Sequence, residues 1–298
     1  MERRKIQIVG GSTVSVTLPK RWANAHNLRA SDEVYIEETP DSNLIISTYP
    51  NRMNGSNSGS MSLDGNDSFP RMLFSYYYYG FERITITSST TIKPSTRKRI
   101  RRIVNSLLGA QIIIESEKRV EVEVIIDRTR IDLRQILHRM SLLIHESIES
   151  IEDHESVTLN EDEIDRLYHL SQRAITMVTR DSSLLTSTGI PAQAAIPSFF
   201  MISKRLESIG DDISTLKSGD HDYLGRVSTQ ITRSIRHLLK PSMPIFTGLG
   251  LSPYPGPKEG DEVERSTYER IWRKVLDVHG LVSDISIMVS ISTGKHEP

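Results

Sequence analysis

The chain has 298 residues, enough for two or three domains with a sizeable core, and 25 % of them are charged for a formal net charge of −1. That balance excludes a chain-wide field for a polyanion, so charge has to be read locally. The absence of cysteine excludes a disulfide framework and any thiolate metal site. No apolar run reaches the roughly 18–20 residues of a membrane helix, and Met1–Lys5 leads straight into a strand pattern, unlike a signal peptide. A soluble protein of the reducing cytoplasm, with no membrane insertion, is expected.

Residues 5–18 read as two short strands, Lys5–Val9 and Thr13–Leu18, turned through Gly10-Gly11. Pro19 suits the first position of a helix over Pro19–His26. Val34–Glu37 and Leu44–Ser47 make a second strand pair, turned through Pro40-Asp41-Ser42-Asn43. A unit of about 50 residues cannot bury enough surface alone and needs a partner. Arg3, Arg4, Lys5, Lys20, Arg21 and Arg29 all precede Asp32, and Glu2 is the only acid before it. Such cations are either ordinary solvated charges or a phosphate-backbone surface, which pairing of two chains would double.

Leu18-Pro19-Lys20-Arg21-Trp22 and Ser31-Asp32-Glu33-Val34 match a Leu-Pro-Lys-x-Trp turn into a helix followed by Gly-Asp-x-Val, with Ser31 where glycine is usual. In these motifs residues 3–48 resemble the DNA-binding domain of AbrB/MazE/SpoVT type. The resemblance implies an interlaced homodimer of swapped hairpins, which supplies the partner the size argument demands. It also implies DNA contact, for which Arg3, Arg4, Lys5, Lys20 and Arg21 are the candidate residues.

Residues 51–68 are almost wholly small and polar and read as a flexible linker or a loop insertion. Residues 69–127 read as a small α/β unit. Phe69–Gly80 is a short helix carrying Tyr76-Tyr77-Tyr78-Tyr79, and Arg83–Thr87 alternates as a strand. Pro94–Leu108 is a helix with Ile100, Ile103, Val104 and Leu107 inward and Gly109 as its stop, before a hairpin of Gln111–Glu115 and Arg119–Ile126. Arg97, Lys98, Arg99, Arg101 and Arg102 are either a second phosphate-binding surface or a solvated face opposite the acids of 115–123; the second reading is preferred. The tyrosines could stack on bases, but a place in the core and its rim is preferred.

From Asp132 onward the apolar spacing is helical. Leu133, Ile136, Met140, Ile144, Ile148 and Ile151 mark one helix, and Asn160 is expected to cap a second over Glu161–Asp181. Pro191 and Pro197 bracket the entry to a third, whose stripe is Ile202, Leu206, Ile209, Ile213 and Leu216. Asp220–Leu239 and Val263–Ser292 add two more around the Pro- and Gly-rich loop Lys240–Gly260. Long amphipathic helices with short connections predict an antiparallel bundle over 128–298.

Acids four apart recur in this bundle: Glu149 and Asp153, Glu161 and Asp165, Glu207 and Asp211. Like charges at that spacing repel by about 0.2–0.5 kcal/mol on an exposed helix. Gly210, between Glu207 and Asp211, adds about 1 kcal/mol against alanine. Each pair is either a solvated face or part of an oxygen-only site for a hard ion. Glu161 would also favour a helix start.

The run Arg205-Leu206-Glu207-Ser208-Ile209-Gly210-Asp211 resembles the signature of the PhoU family of phosphate-uptake regulators, a Leu-Glu-Arg-Ile-Gly-Asp-His-like run. Ser208 stands where that family often has arginine and Asp212 where it often has histidine. Asp165–Arg173 suits the family's second helix. The resemblance implies divalent or iron-type metal ions held by Glu161, Asp165, Glu207 and Asp211. Asp277, His279 and Asp284 match no full second motif, and His279 reads as a structural or surface histidine.

No phosphate-binding Gly-x-x-x-x-Gly-Lys-Ser/Thr loop and no Gly-x-Ser-x-Gly elbow is present, so an enzyme is not expected and a metallohydrolase is the least favoured reading. The expected fold class is a multidomain α+β chain. It comprises a small swapped-hairpin β domain (1–50), a flexible linker (51–68), a small α/β middle unit (69–127) and a PhoU-like antiparallel helical bundle (128–298). The combination resembles archaeal phosphate-uptake regulators, which implies a DNA-binding transcriptional regulator of phosphate homeostasis. The competing expectation is a module that docks on a phosphate transporter subunit or a sensor kinase, its head serving only to dimerise.

Overall fold

A computed structural model describes residues 3–38, 44–48, 58–216, 219–240 and 262–292. The chain divides into two compact units, Met1–Gly55 and Ser56–Pro298. The predicted turn at 40–43 and most of the predicted loop 240–260 lie outside the described residues. Among the described residues no helix is long and apolar enough to cross a membrane.

In the first unit, β1 (Gln7–Val9) and β2 (Thr13–Ser15) pair antiparallel with Ile8 opposite Val14. Gly10 and Gly11 make the turn at φ +65° and +88°, a conformation that costs glycine nothing. α1 (Lys20–Ala25) follows with Pro19 as its N-cap. β3 (Tyr35–Glu38) then pairs antiparallel with β4 (Leu44–Ser47). Ser31 has φ +76°. The backbone therefore needs the left-handed region where the resemblance has glycine, and serine holds it at a cost of about 1 kcal/mol or more. None of the unit's described residues is buried. Ile8, Val14 and Leu44 are 72, 66 and 65 % exposed, so the apolar faces of both hairpins lack a cover within the unit.

The second unit opens with β5 (Ser58–Ser62), a strand inside the stretch predicted as linker. The linker expectation fails here because Gly59 is small for a packing reason. The Tyr76 ring lies over Gly59, and a Cβ there would collide with it. Tyr76 Oη then donates to the Ser60 carbonyl at 2.6 Å. Residues 51–57 of that stretch lie outside the described residues. Further on, Asp64 accepts from the Ser89 amide, which holds its carboxyl below the usual range.

α2 (Phe69–Tyr79), β6 (Arg83–Thr87), α3 (Pro94–Ser106), β7 (Ala110–Glu115) and β8 (Arg119–Val124) complete a sheet of order β5-β6-β8-β7. β5 and β6 run parallel across α2, and the other pairs are antiparallel. Period two sends Ile84, Ile86, Val120, Val122 and Val124 into a core with Leu73, Tyr77, Ile100 and Val104. Arg97 and Arg101 both pair with Glu115, at 2.9 and 2.8 Å, so part of the basic crowding on α3 is answered by the β7 acid.

The helical part comprises α4 (Leu133–Glu149), α5 (His154–Arg180), α6 (Leu185–Thr188), α7 (Ile196–Ser214), α8 (His221–Leu238) and α9 (Glu262–Ser292). α5 begins at His154 and not after Asn160, because Asp153 accepts from the amides of Glu155 and Ser156 and caps it. Glu161 therefore lies two turns inside the helix, beyond the reach of the dipole argument. Cross-helix pairs fix the directions. Gln172 with Ser203 and Lys204 over Tyr168 run α5 against α7. Arg205 with Asp277 and Asp212 with Arg270 run α7 against α9. Tyr223 with Tyr268 and Ser234 with His279 keep one sequence offset, so α8 and α9 are parallel. The bundle thus departs from a purely antiparallel one, and the stretch between α8 and α9 is long enough to carry the chain back along α8's length, about 27 Å.

The α/β part and the helices have separate apolar clusters but one compact unit, with Ile126 packed against both. α5 joins them. Arg173 is 2 % exposed, donates from Nη1 to the Tyr77 and Phe81 carbonyls at 2.6 and 3.1 Å and from Nη2 to the Gly80 carbonyl at 3.1 Å. Two turns on, Arg180 lies over the Tyr79 ring and donates to the Tyr79 carbonyl at 2.7 Å. Each tyrosine of the run is engaged: Tyr77 Oη donates to the Leu108 carbonyl and Tyr78 Oη meets His169 Nδ1 at 2.7 Å. The run is core and rim. Replacing Arg173 by alanine leaves buried carbonyls unpaired, and urea denaturation of the full chain is expected to show a loss of about 2–4 kcal/mol. Arg173→Lys, which keeps the charge but not the three-way reach, is expected to recover only part of that loss.

Candidate nucleic-acid interface and candidate metal centre

The cations of the first unit stand on short elements that hold them in water. Arg3, Arg4 and Lys5 precede β1, and Lys20 and Arg21 begin α1; all are exposed. Among the described residues no ion pair joins Arg3, Lys5, Lys20 or Arg21 to an acid. Arg29 is exposed, and its amide donates to Asp32 at 2.6 Å, closing the turn that precedes β3. Unanswered surface cations on a small uncovered unit can bind a polyanion without first breaking an internal pair.

The acids of the second unit meet between α5 and α7. Glu161 and Asp165 are one turn apart on α5, and Asp211 faces them from α7. One carboxylate oxygen from each lies within 4.8 Å of the others. Gly210 makes this approach possible, since a Cβ there would stand 3.1 Å from Ile164 Cδ1. The glycine that costs α7 helix propensity thereby sets Asp211 beside Asp165. No hydrogen bond or ion pair reaches the three carboxylates among the described residues.

Charge crowding shows in the acidities. Burial, then Glu161, Asp211 and Glu207, push Asp165 from 3.8 up to about 7. Burial and then Asp211 raise Glu161. Three converging oxygens with no proton donor and no cation are a donor set for a hard ion of the Mg²⁺ or Mn²⁺ kind.

Glu207, the fourth acid expected here, is half-buried and turned to Lys204, whose Nζ donates to both its oxygens at 2.6 and 2.7 Å. Burial raises Glu207 against the opposing pull of Lys204. Lys204, three residues before Glu207, is the neighbour that sequence reasoning missed, although the spacing alone could have flagged it. His169, one turn beyond Asp165, is held uncharged near pH 7, its pKa pushed down to about 4 by burial and then by Lys204.

The other acids have separate employment. Asp153 caps α5, which removes the Glu149/Asp153 pair as a ligand set. Asp212 accepts from Arg270 at 2.9 Å and Lys274 at 2.6 Å. Lys274 also donates to the Ser208 hydroxyl at 2.7 Å. The two positions where α7 departs from the resembled signature, Ser208 and Asp212, therefore form one ionic contact with α9. His279 is buried beside Ser234, in keeping with a structural histidine.

Residues 7–55 match the family model described as antidote-toxin recognition MazE, bacterial antitoxin. The match covers a small part of the chain and places an AbrB/MazE-type domain at its N-terminal end, a class that points to a DNA-binding regulator. No curated protein and no solved structure matches the chain.

In metal-free protein the acid cluster sets a pH dependence. Native Asp165 keeps its proton up to about pH 7, whereas the unfolded chain releases it near 3.8. Its contribution to stability is full below about pH 4 and is lost as pH rises through 7. Asp165→Asn is therefore expected to raise the melting temperature of chelator-treated protein at pH 8 and to leave it little changed at pH 4, read by thermal denaturation at both pH values.

Proposed function

We propose that the protein is a DNA-binding transcriptional regulator whose helical unit carries a divalent-cation site, acting in control of phosphate uptake. One observation carries the reading: a domain of AbrB/MazE type whose apolar hairpin faces lack a cover and whose Arg3, Lys5, Lys20 and Arg21 lack acids. A second copy supplies the cover, burying Ile8, Val14, Ile36 and Leu44 and doubling the set Arg3, Arg4, Lys5, Lys20 and Arg21. DNA binding follows from counterion release along the phosphate backbone. The phosphate role rests on the likeness of Arg205–Asp211 to the PhoU signature, and it is supported by the meeting of Glu161, Asp165 and Asp211 across two helices.

The cation would sit among Glu161, Asp165 and Asp211, with Glu207 within reach if Lys204 releases it. When bound it supplies charge neutralisation, which removes the repulsion that lifts Asp165. The chain's own residues hold α5 and α7 together around it through Gly210 and Ile164. Among the described residues no nucleophile or general base is hydrogen-bonded to the cluster, His169 being paired with Tyr78, and a sensor or structural cross-link is the favoured role over hydrolysis. Docking on a transporter subunit or a sensor kinase is the alternative, favoured only if the head pairs without touching DNA.

Two measurements test the reading. Anisotropy titration of duplex from the chain's own promoter region is expected to show binding that weakens steeply with salt. Lys20→Gln/Arg21→Gln should flatten the slope of log K against log salt by about 0.9 for each phosphate no longer neutralised. A dimer that shifts no DNA at low salt would favour the docking alternative. Elemental analysis of purified protein is expected to find a divalent metal that Asp165→Ala or Asp211→Ala removes and that Glu207→Ala reduces less. Unchanged content in the Asp165 and Asp211 variants would make the acids a solvated face.

A further inference from the structure

A second charged feature lies on a different helix interface and belongs to neither site above. Between α4 and α8 is an open cavity of about 530 Å³, lined by Leu142 and His145 from α4 and by Ser228, Thr229, Thr232, Arg233, Arg236 and His237 from α8, with Lys240 just beyond. The size falls within the ~300–1,000 Å³ of small-molecule sites. No carboxylate lines it among the described residues. Arg233, Arg236 and Lys240 have no acid partner among the described residues. Other guanidinium groups of this unit do find acids, as Arg139 does with Glu163 and Arg205 with Asp277.

The lining is built as well as charged. His145 Nδ1 lies 2.8 Å from Ser228 Oγ, so the ring and the hydroxyl fix one another at the cavity wall. Along α4 from Leu142, His138 has a buried Nδ1 with no partner among the described residues. Burial, and then the charge on Arg236, hold its pKa down. Arg233, Arg236 and Lys240 are exposed along its rim, open to a ligand from solvent.

We propose that this groove binds a linear chain of phosphoryl groups, as in inorganic polyphosphate or the triphosphate of a nucleotide. Arg233 and Arg236 are one turn apart on one face of α8, and Lys240 follows just past its end, so the three are strung over roughly 10 Å of the groove. One tetrahedral oxyanion would have to draw the three side chains together against their own repulsion, whereas linked phosphoryl groups can meet each along the groove. Guanidinium groups bind such oxygens in pairs, and the Thr232 and Ser228 hydroxyls donate to those the cations leave. Among the described lining residues Leu142 alone is apolar, so the phosphoryl chain is the part of the ligand that the groove is charged to hold. The inference is independent of the DNA and metal readings.

The test is calorimetric titration of the full chain in buffer freed of divalent cations, so that chelation adds nothing. Tripolyphosphate is expected to bind saturably, at least tenfold more tightly than orthophosphate. Arg233→Gln/Arg236→Gln, which should leave the melting temperature unchanged, is expected to weaken tripolyphosphate at least tenfold. Lys20→Gln/Arg21→Gln, in the other unit, is expected to leave its affinity unaltered. Tighter binding of adenosine triphosphate than of tripolyphosphate makes the nucleotide the source, and the reverse order makes it the inorganic chain. Equal affinity of the Arg233/Arg236 variant and the parent for tripolyphosphate overturns the proposal. So does a variant that loses duplex DNA binding while tripolyphosphate binds neither protein, which would make the groove a nucleic-acid surface.

Discussion

The second unit depends on a buried arginine that has no acid. The Arg173 guanidinium is enclosed by the end of α2, and its Nη1 and Nη2 donate to the carbonyls of Tyr77, Gly80 and Phe81, while its Nε has no partner among the described residues. Burial lowers its pKa although Glu82 opposes that shift, yet an arginine stays charged in proteins, and the negative end of the α2 dipole adds to the compensation. That requirement fixes how α2 ends. Gly80 takes φ +96°, which turns the chain so that successive carbonyls converge on one point. It also fixes where α5 lies, because the same helix presents Arg180 to Tyr79 and His169 to Tyr78. The α/β part and the helices are one compact unit because α5 is shared by both.

The acid cluster inherits its position from that clasp. Asp165 and Glu161 lie two and three turns before Arg173 on the helix that Arg173 anchors. Across from them α7 comes close only where Gly210 lacks a side chain. On its other side α7 is held to α9 by Asp212, Arg270 and Lys274. Breaking either partner of a buried ionic pair costs far more than the pair contributes net, so α7 is confined on both flanks. The repulsion among the three free carboxylates is sustained by packing that relaxation at one residue cannot undo.

Periodicity made much of this legible. The stripe from Ile202 to Leu216 and the alternation of Val120, Val122 and Val124 each describe a buried face, and both lie where burial puts them. The pairing of Glu161 and Asp165 with Asp211 came from a family likeness, since spacing alone cannot say which helices face each other. What stayed hidden was long-range. Asn160 has the chemistry of a cap, but Asp153 has it too, and it is Asp153 that accepts from the Glu155 and Ser156 amides and starts the helix. Ser58–Ser62 has the composition of a linker, and becomes a strand because Tyr76 needs a glycine beneath it. The parallel run of α8 and α9 depends on how far a connection travels, which composition does not encode.

The net charge of −1 conceals a sorting of charge that the fold makes spatial. One unit carries exposed cations ahead of its first described acid, Asp32. In the other, carboxylates gather between α5 and α7, and cations gather between α4 and α8. α4 packs against α5, α7 and α8, so both clusters border the same helix. Among the carboxylates the fold holds like charges together against their repulsion, which an ion of opposite sign would relieve. Two charged clusters on one shared helix would make their occupants sensitive to each other if α4 shifts, because a ligand moves an equilibrium only by its difference in affinity for the two states. A chain with evenly mixed charge would have no such lever. The proposed anion groove and the proposed cation site would then both belong to one compact unit, in a chain whose near-zero total charge favours neither.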